Sequence, residues 1–321
     1  MSIQALSVVI PVYNSEGSLA ALAEQLLQFF RDRRVDGEVI LVNDGSRVRS
    51  WQRIQELCQA HPEIRGVNLM RNYGQHNALL CGIRQARHAV TATMDDDLQH
   101  PPEELPRILE RLEEGFDVVY GTPLAQQHGL FRDMASIISK FALQGAMGAE
   151  TARRVSAFRV FRTSVRQAFA AYEGSFVSID VLLTWATTRF SSVAVRHEPR
   201  TIGTSNYTFR KLVTHALNMM TGFSVWPLQA ASIMGFVFTV FGLLVLIYVV
   251  GRYLIFGSSV AGFPFLASLI AIFSGAQMFA LGIMGEYLAR IHFRSMERPP
   301  YAIREQVDCG VTNEIIRPSI L

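Results

Sequence analysis

The residues with the clearest chemical potential are three consecutive aspartates, Asp95, Asp96 and Asp97, which directly follow an apolar run. Adjacent carboxylates repel one another unless a cation or hydrogen-bond donors compensate their charge. Mg²⁺ and Mn²⁺ typically bind one or two carboxylates together with phosphate oxygens of a substrate. Along an extended chain Asp95 and Asp97 can face one way while Asp96 faces the other. The cluster therefore favours a metal-bridged diphosphate over a solvated acidic turn.

Two other polar segments follow apolar runs in the same way. Pro11-Val12-Tyr13-Asn14 ends the first run and Asn43-Asp44-Gly45-Ser46 ends the second. Asn-Asp-Gly-Ser alone is equally typical of an ordinary turn. Open parallel sheets bind ligands at the carboxyl ends of their strands, so we expect three polar strand ends to converge on one crevice. The sequence contains no GxGxxG and no GxxxxGK[ST], which removes the main support for a dinucleotide or P-loop site.

A parallel sheet is needed to position such a crevice. The first third of the chain alternates apolar runs with amphipathic stretches, a pattern typical of parallel strands joined by crossover helices. The apolar runs predict strands at Leu6–Pro11, Glu38–Asn43, Ile64–Leu69, Ala89–Met94 and Val118–Thr122. The amphipathic stretches predict crossover helices at Glu16–Arg31, Ser50–His61, Gln75–Arg87 and Pro102–Glu114. From about residue 125 to 200 the pattern is helix-rich and ends in a strand at Ser192–His197. We interpret this part as a second lobe that completes the site.

The next part of the chain differs in composition, because residues 212–251 and 253–285 contain no Asp, Glu, Lys or Arg. Leu228–Tyr248 and Phe263–Gly285 are each long and apolar enough to cross a bilayer, with a hairpin buried inside a soluble protein as the alternative. Tyr207–Phe223 is amphipathic. It is predicted to lie at the lipid interface, or else to be an ordinary core helix.

Basic residues flank the outer ends of these two spans, whereas the turn between them carries Arg252 alone. The flanking residues are Arg200, Arg210, Lys211, Arg290, Arg294 and Arg298. The positive-inside rule therefore predicts that both chain ends and the catalytic part are cytoplasmic. The start of the chain, MSIQALSVVIPVYN, has no basic n-region and no cleavage site, so it indicates a first strand rather than a signal peptide.

Composition excludes several classes of protein. The 321-residue chain is 50% hydrophobic, which is too apolar for a disordered or fibrous protein. Its net charge of +3 comes without a basic run, which argues against binding of nucleic acid. Cys58, Cys81 and Cys309 are far apart and form no metal-binding spacing. A reduced, cytosol-facing compartment accounts for them.

Six segments, taken in order, resemble the polyprenyl-phosphate glycosyltransferases of glycosyltransferase family 2. They are SVVIPVYN, VNDGS, RNYGQHNALLCG, MDDDLQHPPEE, SAFRVFR and RTIGTSNYTFRKL, and the two apolar spans follow them. The resemblance covers roughly residues 6–300 and is specific as an ordered set. Bactoprenol glucosyltransferases and dolichol-phosphate mannose synthases share the pattern. The segment Arg71–His76 is most similar to undecaprenyl-phosphate 4-deoxy-4-formamido-L-arabinose transferases.

The resemblance implies a GT-A-like α/β fold with a mostly parallel sheet and crossover helices, followed by an interfacial amphipathic helix and two transmembrane helices. It divides the chain into a nucleotide-sugar-binding half (1–125), an acceptor-side half (126–204), the interfacial helix (205–225), two transmembrane helices (226–252 and 261–286) and a cytoplasmic tail (287–321). A multi-pass protein of the bacterial inner membrane is implied. Similar proteins form homo-oligomers, tetramers among them.

The implied reaction is inverting transfer of a sugar from a nucleotide-sugar, expected to be UDP-linked, to a polyprenyl phosphate, expected to be undecaprenyl phosphate. Such transfer serves modification of cell-envelope glycans or lipids. Mg²⁺ or Mn²⁺ is the implied cofactor and the lipid bilayer the implied partner.

The resemblance also assigns roles residue by residue. The residues implied to bind the nucleotide are Pro11, Tyr13, Asn14, Asp44, Asp95 and Asp96. Those implied to hold the metal are Asp95, Asp97 and Gln99, and those implied to act in catalysis are Asp95, Asp97, Arg71 and Arg159. The segment before the spans is predicted to bind the acceptor phosphate through Arg200 and Ser205.

Some positions depart from the family pattern and leave the identity of the donor open. These are Ser15, Asn206, Ser156-Ala157 and Thr122-Pro123-Leu124. A processive polysaccharide synthase shares the fold, but the Gln-x-x-Arg-Trp element expected of it is absent from this sequence. A non-catalytic membrane scaffold, or a flippase-associated subunit that keeps a nucleotide-sugar-binding fold, is the alternative function.

Overall fold

The computed structural model describes residues 3–123, 155–174, 176–198, 226–257, 262–296 and 298–308. The strands are β1 (Ala5–Val12), β2 (Asp36–Asn43), β3 (Ile64–Leu69), β4 (Val90–Thr93), β5 (Val118–Pro123), β6 (Arg159–Arg162), β7 (Phe190–Val195) and β8 (Ile303–Asp308). The α-helices are α1 (Leu19–Arg33), α2 (Ser50–Ala60), α3 (Gln75–Gln85), α4 (Leu105–Glu113), α5 (Ile179–Ala186), α6 (Trp226–Phe256) and α7 (Phe263–Ser295).

The strands form one sheet in the order β7-β5-β6-β4-β1-β2-β3-β8. Parallel pairs join β1 to β2 and β4, β2 to β3, and β5 to β7. Strand β6 runs antiparallel between β4 and β5, and β8 runs antiparallel along β3. The predicted parallel sheet is thus confirmed at its centre, while the sheet as a whole is mixed.

Helices cover both faces of this sheet. Along β1, Val8 and Ile10 pack in a core cluster with the apolar sides of α1 and α4, whereas Val9 packs in a second cluster with α3 and α5. A strand buried on both faces has no polar positions to alternate with, so it is apolar almost throughout. This explains why the first strand was recognisable from its sequence alone.

The predicted crossover helices are present, with shifted ends. Helix α1 begins at Leu19 rather than Glu16, because residues 16–18 form a turn. The stretch predicted as one helix from Pro102 is a 3₁₀ turn followed by α4, which begins at Leu105. The second lobe supplies β6, a 3₁₀ helix at Thr163–Phe169, α5 and β7.

Two long helices, α6 and α7, contain the predicted spans and extend beyond them. In the described part of the chain, one helix passes a length and composition test for crossing a membrane: Pro227–Phe256, with a mean hydropathy of 2.7. The rings of Phe238 on α6 and Phe273 on α7 are 5.7 Å apart, so the two helices touch. The predicted interfacial helix, 205–225, lies outside the described residues.

Part of the stretch predicted as a cytoplasmic tail, 287–321, belongs to a helix and a strand of the fold. Its first residues continue α7 to Ser295, and Ile303–Asp308 form β8. Arg65 on β3 binds Asp308 at 3.1 Å and Glu38 on β2 at 2.9 Å. This ion-pair network fixes the end of the described chain to the edge of the sheet.

Candidate active site

The carboxyl ends of β1, β2 and β4 meet at one edge of the sheet. The Asn14 backbone N–H donates to Ser46 Oγ at 3.0 Å, and the Arg47 N–H donates to Asn14 Oδ1 at 2.8 Å. The Tyr13 N–H donates to Asp96 Oδ2 at 3.3 Å. The structure therefore brings together the three polar strand ends singled out in the sequence.

Sharp backbone turns let the chain leave each strand at this edge. Asn14, Gly45 and Leu98 adopt positive φ angles of 57°, 64° and 61°. A Cβ atom at Gly45 would lie 2.4 Å from the backbone nitrogen of Asn72. Glycine is therefore required at residue 45, because the segment after β3 passes directly against it.

Asp44 is buried and ties the end of β2 to the segment after β3. Its Oδ1 accepts the Tyr73 N–H at 2.7 Å, and its Oδ2 accepts the Gly74 N–H at 2.9 Å. Burial raises the pKa of Asp44, and these two hydrogen bonds partly oppose the rise. The carboxylate thus holds the loop that leads into α3, in addition to lining the edge where the nucleotide was predicted.

The three aspartates after β4 point to different partners. Asp95 Oδ1 accepts a hydrogen bond from Gln75 Nε2 at 2.7 Å, and Asp97 Oδ1 accepts the Gln99 N–H at 3.2 Å. Asp96 instead faces the end of β1. Burial raises the pKa of Asp96, and the negative charge of Asp97 adds to this rise. The hydrogen bonds from Ser15 and Tyr13 oppose it. Asp95 and Asp96 thus bond to different elements, whereas Asp97 bonds locally within a segment that bends at residues 96–98.

The donor set at this edge fits a hard divalent cation that also binds substrate. Among the residues that the structure describes, no three His, Cys, Asp or Glu side chains form a group that could enclose a metal. Mg²⁺ needs no such group, because it commonly uses one or two carboxylates and completes its shell with water and phosphate oxygens. Asp95 and Asp97 can supply the carboxylates. Gln99 is held nearby, since its side-chain amide donates to the Glu198 carbonyl at 3.2 Å.

The remaining nucleotide and phosphate candidates differ in accessibility. Pro11 is buried in β1, while Tyr13 is 42% exposed at the strand end. Arg71 is exposed after β3, with its guanidinium 4.6 Å from the centre of the Tyr73 ring. Arg200 and Ser205 lie outside the described residues.

The side chain of Arg159, which was predicted to meet phosphate oxygens, lies in the core. Its backbone pairs with Thr93 at the end of β4, close to the acidic edge, but its side chain is only 2% exposed and forms an ion pair with Asp180 on α5. The Tyr120 hydroxyl donates to the same carboxylate at 3.1 Å. Burial, followed by the Asp180 charge, raises the pKa of Tyr120 well above its usual value. The Arg159 guanidinium thus lies in the interior of the protein, paired with Asp180.

His100 links the two lobes behind the acidic segment. It is buried, with its ring centre 5.1 Å from that of Phe158 and 4.9 Å from that of His197. Burial, reinforced by His197, lowers the pKa of His100 to about 4, although Asp97 opposes this. The ring is therefore neutral at pH 7 and packs the segment after β4 against the segment after β7.

Three residues of this region had no predicted role: Gln75, Asp180 and His100. A signal existed for Gln75, because the strand-end rule applied to β3 places Arg71–Gln75 at the same edge. Asp180 and His100 carry no comparable signal, since their partners come from distant parts of the chain.

Comparisons with known proteins agree with this architecture. A model of the family "Glycosyl transferase family 2" matches residues 7–169. The undecaprenyl-phosphate 4-deoxy-4-formamido-L-arabinose transferase of Pectobacterium atrosepticum is 36% identical, over 96% of this chain and 95% of that protein. The protein of the same name from Photorhabdus laumondii is 35% identical, over 97% of each chain.

A solved structure supports the fold alone. Glucosyl-3-phosphoglycerate synthase from Mycobacterium tuberculosis, in complex with Mn²⁺, UDP-glucose and phosphoglyceric acid, has a TM-score of 0.50 at 16% sequence identity. The similarity covers 68% of this chain and 78% of the other. Since the family model spans half of the sequence and the relatives match nearly all of it, the chain belongs to glycosyl transferase family 2, with polyprenyl-phosphate glycosyltransferases as its relatives.

Proposed function

We propose that this protein transfers a sugar from a UDP-linked donor to undecaprenyl phosphate, with inversion at the anomeric carbon, on the cytoplasmic face of the bacterial inner membrane. The observation that carries the proposal is the convergence of the strand ends of β1, β2 and β4 around Asp95 and Asp97. The names of the nearly full-length relatives supply the acceptor and the candidate sugar.

The donor would lie across the edge of the sheet. Pro11, Tyr13, Asn14 and Asp44 line the part of the edge proposed for the base and ribose, and Asp96 is fixed to the same strand end. Asp95, Asp97 and Gln99 would hold a divalent cation, Mg²⁺ or Mn²⁺, which when bound neutralises charge on the leaving diphosphate. The fold neighbour crystallised with Mn²⁺ and a nucleotide-sugar supports a divalent cation as the cofactor in general. Arg71 is exposed where it can meet phosphate oxygens.

The acceptor needs little activation by the protein. A phosphate monoester has a second pKa near about 6, so the lipid phosphate is largely a dianion at neutral pH and already nucleophilic. The task of the protein is to align the lipid phosphate opposite the leaving diphosphate. Attack from that side inverts the anomeric centre. Arg200 and Ser205 are proposed to bind this phosphate, because they precede the first span in the chain.

The connectivity supports a membrane location with two crossings. Pro227–Phe256 is apolar and none of its most hydrophobic window is buried inside the protein. Strand β8, which follows α7, pairs with β3 in the same sheet as the N-terminal strands. If α6 crosses the bilayer, the chain must cross again to return, and α7 is the helix available for this.

The proposal is tested by incubating the purified full-length protein with undecaprenyl phosphate and a panel of radiolabelled nucleotide-sugars. The panel contains UDP-4-deoxy-4-formamido-L-arabinose, UDP-glucose and GDP-mannose. We expect a lipid-extractable product from one UDP-sugar, lost with EDTA and restored by Mg²⁺ or Mn²⁺.

A matched pair of carboxylate variants locates the chemistry. Asp97→Asn should lower the rate on the order of 10²-fold or more, because it weakens stabilisation of the leaving group. Asp36→Asn changes an exposed carboxylate at the opposite end of β2 and should leave the rate unchanged. Full activity of Asp97→Asn without metal, or no product from any donor, would contradict the proposal.

A further inference from the structure

Helix α3 starts directly beside the acidic cluster. Gln75 is its first residue, and its side-chain amide donates to Asp95 Oδ1 at 2.7 Å. The preceding Gly74 has a φ of 100°, although a Cβ there would meet nothing within 4 Å. Glycine is therefore needed for the backbone angle that turns the chain into α3 and not to make room. This turn brings the Gln75 amide to the carboxylate.

The first turn of α3 is fixed from several directions. Asn77 is buried and its Nδ2 donates to the Pro300 carbonyl at 2.6 Å, in the segment between α7 and β8. The Ile179 N–H donates to His76 Nδ1 at 3.3 Å, and Asp44 accepts the N–H groups of Tyr73 and Gly74. Contacts from β2, the second lobe and the C-terminal segment thus fix the position of the backbone at Gln75.

The chemistry of an amide suits this position. A glutamine N–H donates to a carboxylate but carries no charge, so it can orient Asp95 without competing with a cation for it. Hydrogen-bonding partners of metal-ligating carboxylates set their direction, and losing one typically costs about 10- to 100-fold in metal affinity. Gln75 is itself exposed, so removing its side chain leaves the core intact.

We propose that Gln75 is a positioning residue that holds the Asp95 carboxylate in the direction required to bind the divalent cation of the donor complex. The inference rests on the proposed function, because it concerns the same site. It assigns Gln75 no contact with the sugar or the acceptor. The role is confined to the orientation of Asp95.

The test compares two glutamines of the same helix in the full-length protein. Gln75→Ala removes the amide beside Asp95, whereas Gln85→Ala removes one at the far end of α3, which donates to Cys81 Sγ at 3.5 Å. Binding of Mn²⁺ is measured from the electron paramagnetic resonance signal of the free ion, with UDP or GDP present at saturation. Binding of each nucleotide is measured separately in EDTA, and thermal unfolding checks the fold.

We expect Gln75→Ala to raise the Kd for Mn²⁺ by about 10-fold and Gln85→Ala to change it by less than about twofold. Nucleotide affinity in EDTA should stay within about twofold of wild type for both variants. The Mn²⁺ concentration that gives half of the maximal rate should shift with the Kd, while kcat at saturating Mn²⁺ stays within about threefold.

Two results would overturn the positioning role. An unchanged Kd for Mn²⁺ in Gln75→Ala would show that Asp95 needs no help, and a loss of nucleotide affinity in EDTA would place Gln75 on the donor itself. Failure of the proposed function looks different, because the wild-type protein would then show no nucleotide-dependent binding of Mn²⁺ at all.

Discussion

At the scale of single residues, Arg159 and Asp180 form a buried ion pair in the described core. Both side chains are almost fully buried, and Tyr120 donates a further hydrogen bond to the carboxylate. Bringing two charges out of water is expensive, and their attraction roughly offsets that cost. Removal of one partner leaves the other charge buried and uncompensated. The pair therefore makes stability sensitive to either residue alone.

We predict that Asp180→Leu destabilises the protein by about 3–5 kcal/mol, because it strands the Arg159 guanidinium in the core. The double variant Arg159→Met/Asp180→Leu should recover most of the loss, since neither charge then remains. Thermal unfolding of the detergent-solubilised variants measures both. Transfer activity supplies the second readout. Loss of activity in a double variant that unfolds like wild type would show that Arg159 is needed for the reaction and not only for stability.

The alternation of side chains between the two faces of β6 was not enough to predict the Arg159–Asp180 ion pair from the sequence. In Ser156–Arg162 it places Phe158 and Val160 in one core cluster and Phe161 in the other. Alternation therefore predicts on which face of the sheet Arg159 lies, but it does not show whether the side chain there is buried or contacts the crevice. The partner carboxylate comes from α5, which no local signal connects to β6. By contrast, Asp44 and Asp95 were predictable because the ends of parallel strands must share an edge.

At the scale of elements, the same contrast separates β3 from β8. Ile64–Leu69 was predicted with the bounds that the structure gives, because three of its residues are branched apolar ones and it lies between two amphipathic helices. The sequence of β8, IREQVD, has only two apolar residues and resembles a polar tail. Its stability comes from pairing with β3 and from the bonds of Asp308 to Arg65 and Arg87. These are contacts between distant parts of the chain that a local pattern does not encode.

We predict that truncation after Ser295 lowers the melting temperature and promotes association of the protein. The truncation removes β8 and exposes the backbone N–H and C=O groups along β3, which can then pair with another molecule. Thermal unfolding and light scattering measure the two effects. Truncation after Asp308 is the control, because it keeps β8. Equal behaviour of the two truncated proteins would contradict a structural role for this strand.

At the scale of the whole molecule, the helices are longer than a bilayer requires. The 31 residues of α6 extend about 46 Å, against roughly 30 Å of hydrocarbon. Helix α7 has 33 residues, and its last turns carry the Glu286–Arg290 ion pair at 2.9 Å. Arg290 also lies over the Phe176 ring, 5.8 Å from its centre. The C-terminal part of α7 therefore meets the second lobe directly.

We predict that a cysteine at Ser258, between the two helices, is labelled by a membrane-impermeant reagent added outside intact cells. A cysteine at Ser46, at the acidic edge, should be labelled only after the cells are opened. Both are introduced with Cys309 replaced by serine, while Cys58 and Cys81 are buried. Labelling of residue 46 from outside would place the nucleotide site on the wrong side for a cytosolic donor.

The pairing of β3 with β8 also has a consequence for the synthesis of the protein. Arg65 and its partner Asp308 are 243 residues apart, so at about 5–20 residues per second the ribosome needs roughly 12–50 s to supply the missing strand. During this interval the rest of the sheet can form, but its β3 edge stays open while the two long helices are made. A chain whose second helix failed to return would have β8 on the far side of the membrane. With the two crossings proposed for α6 and α7, completion of the sheet would therefore require that both helices are inserted as a pair.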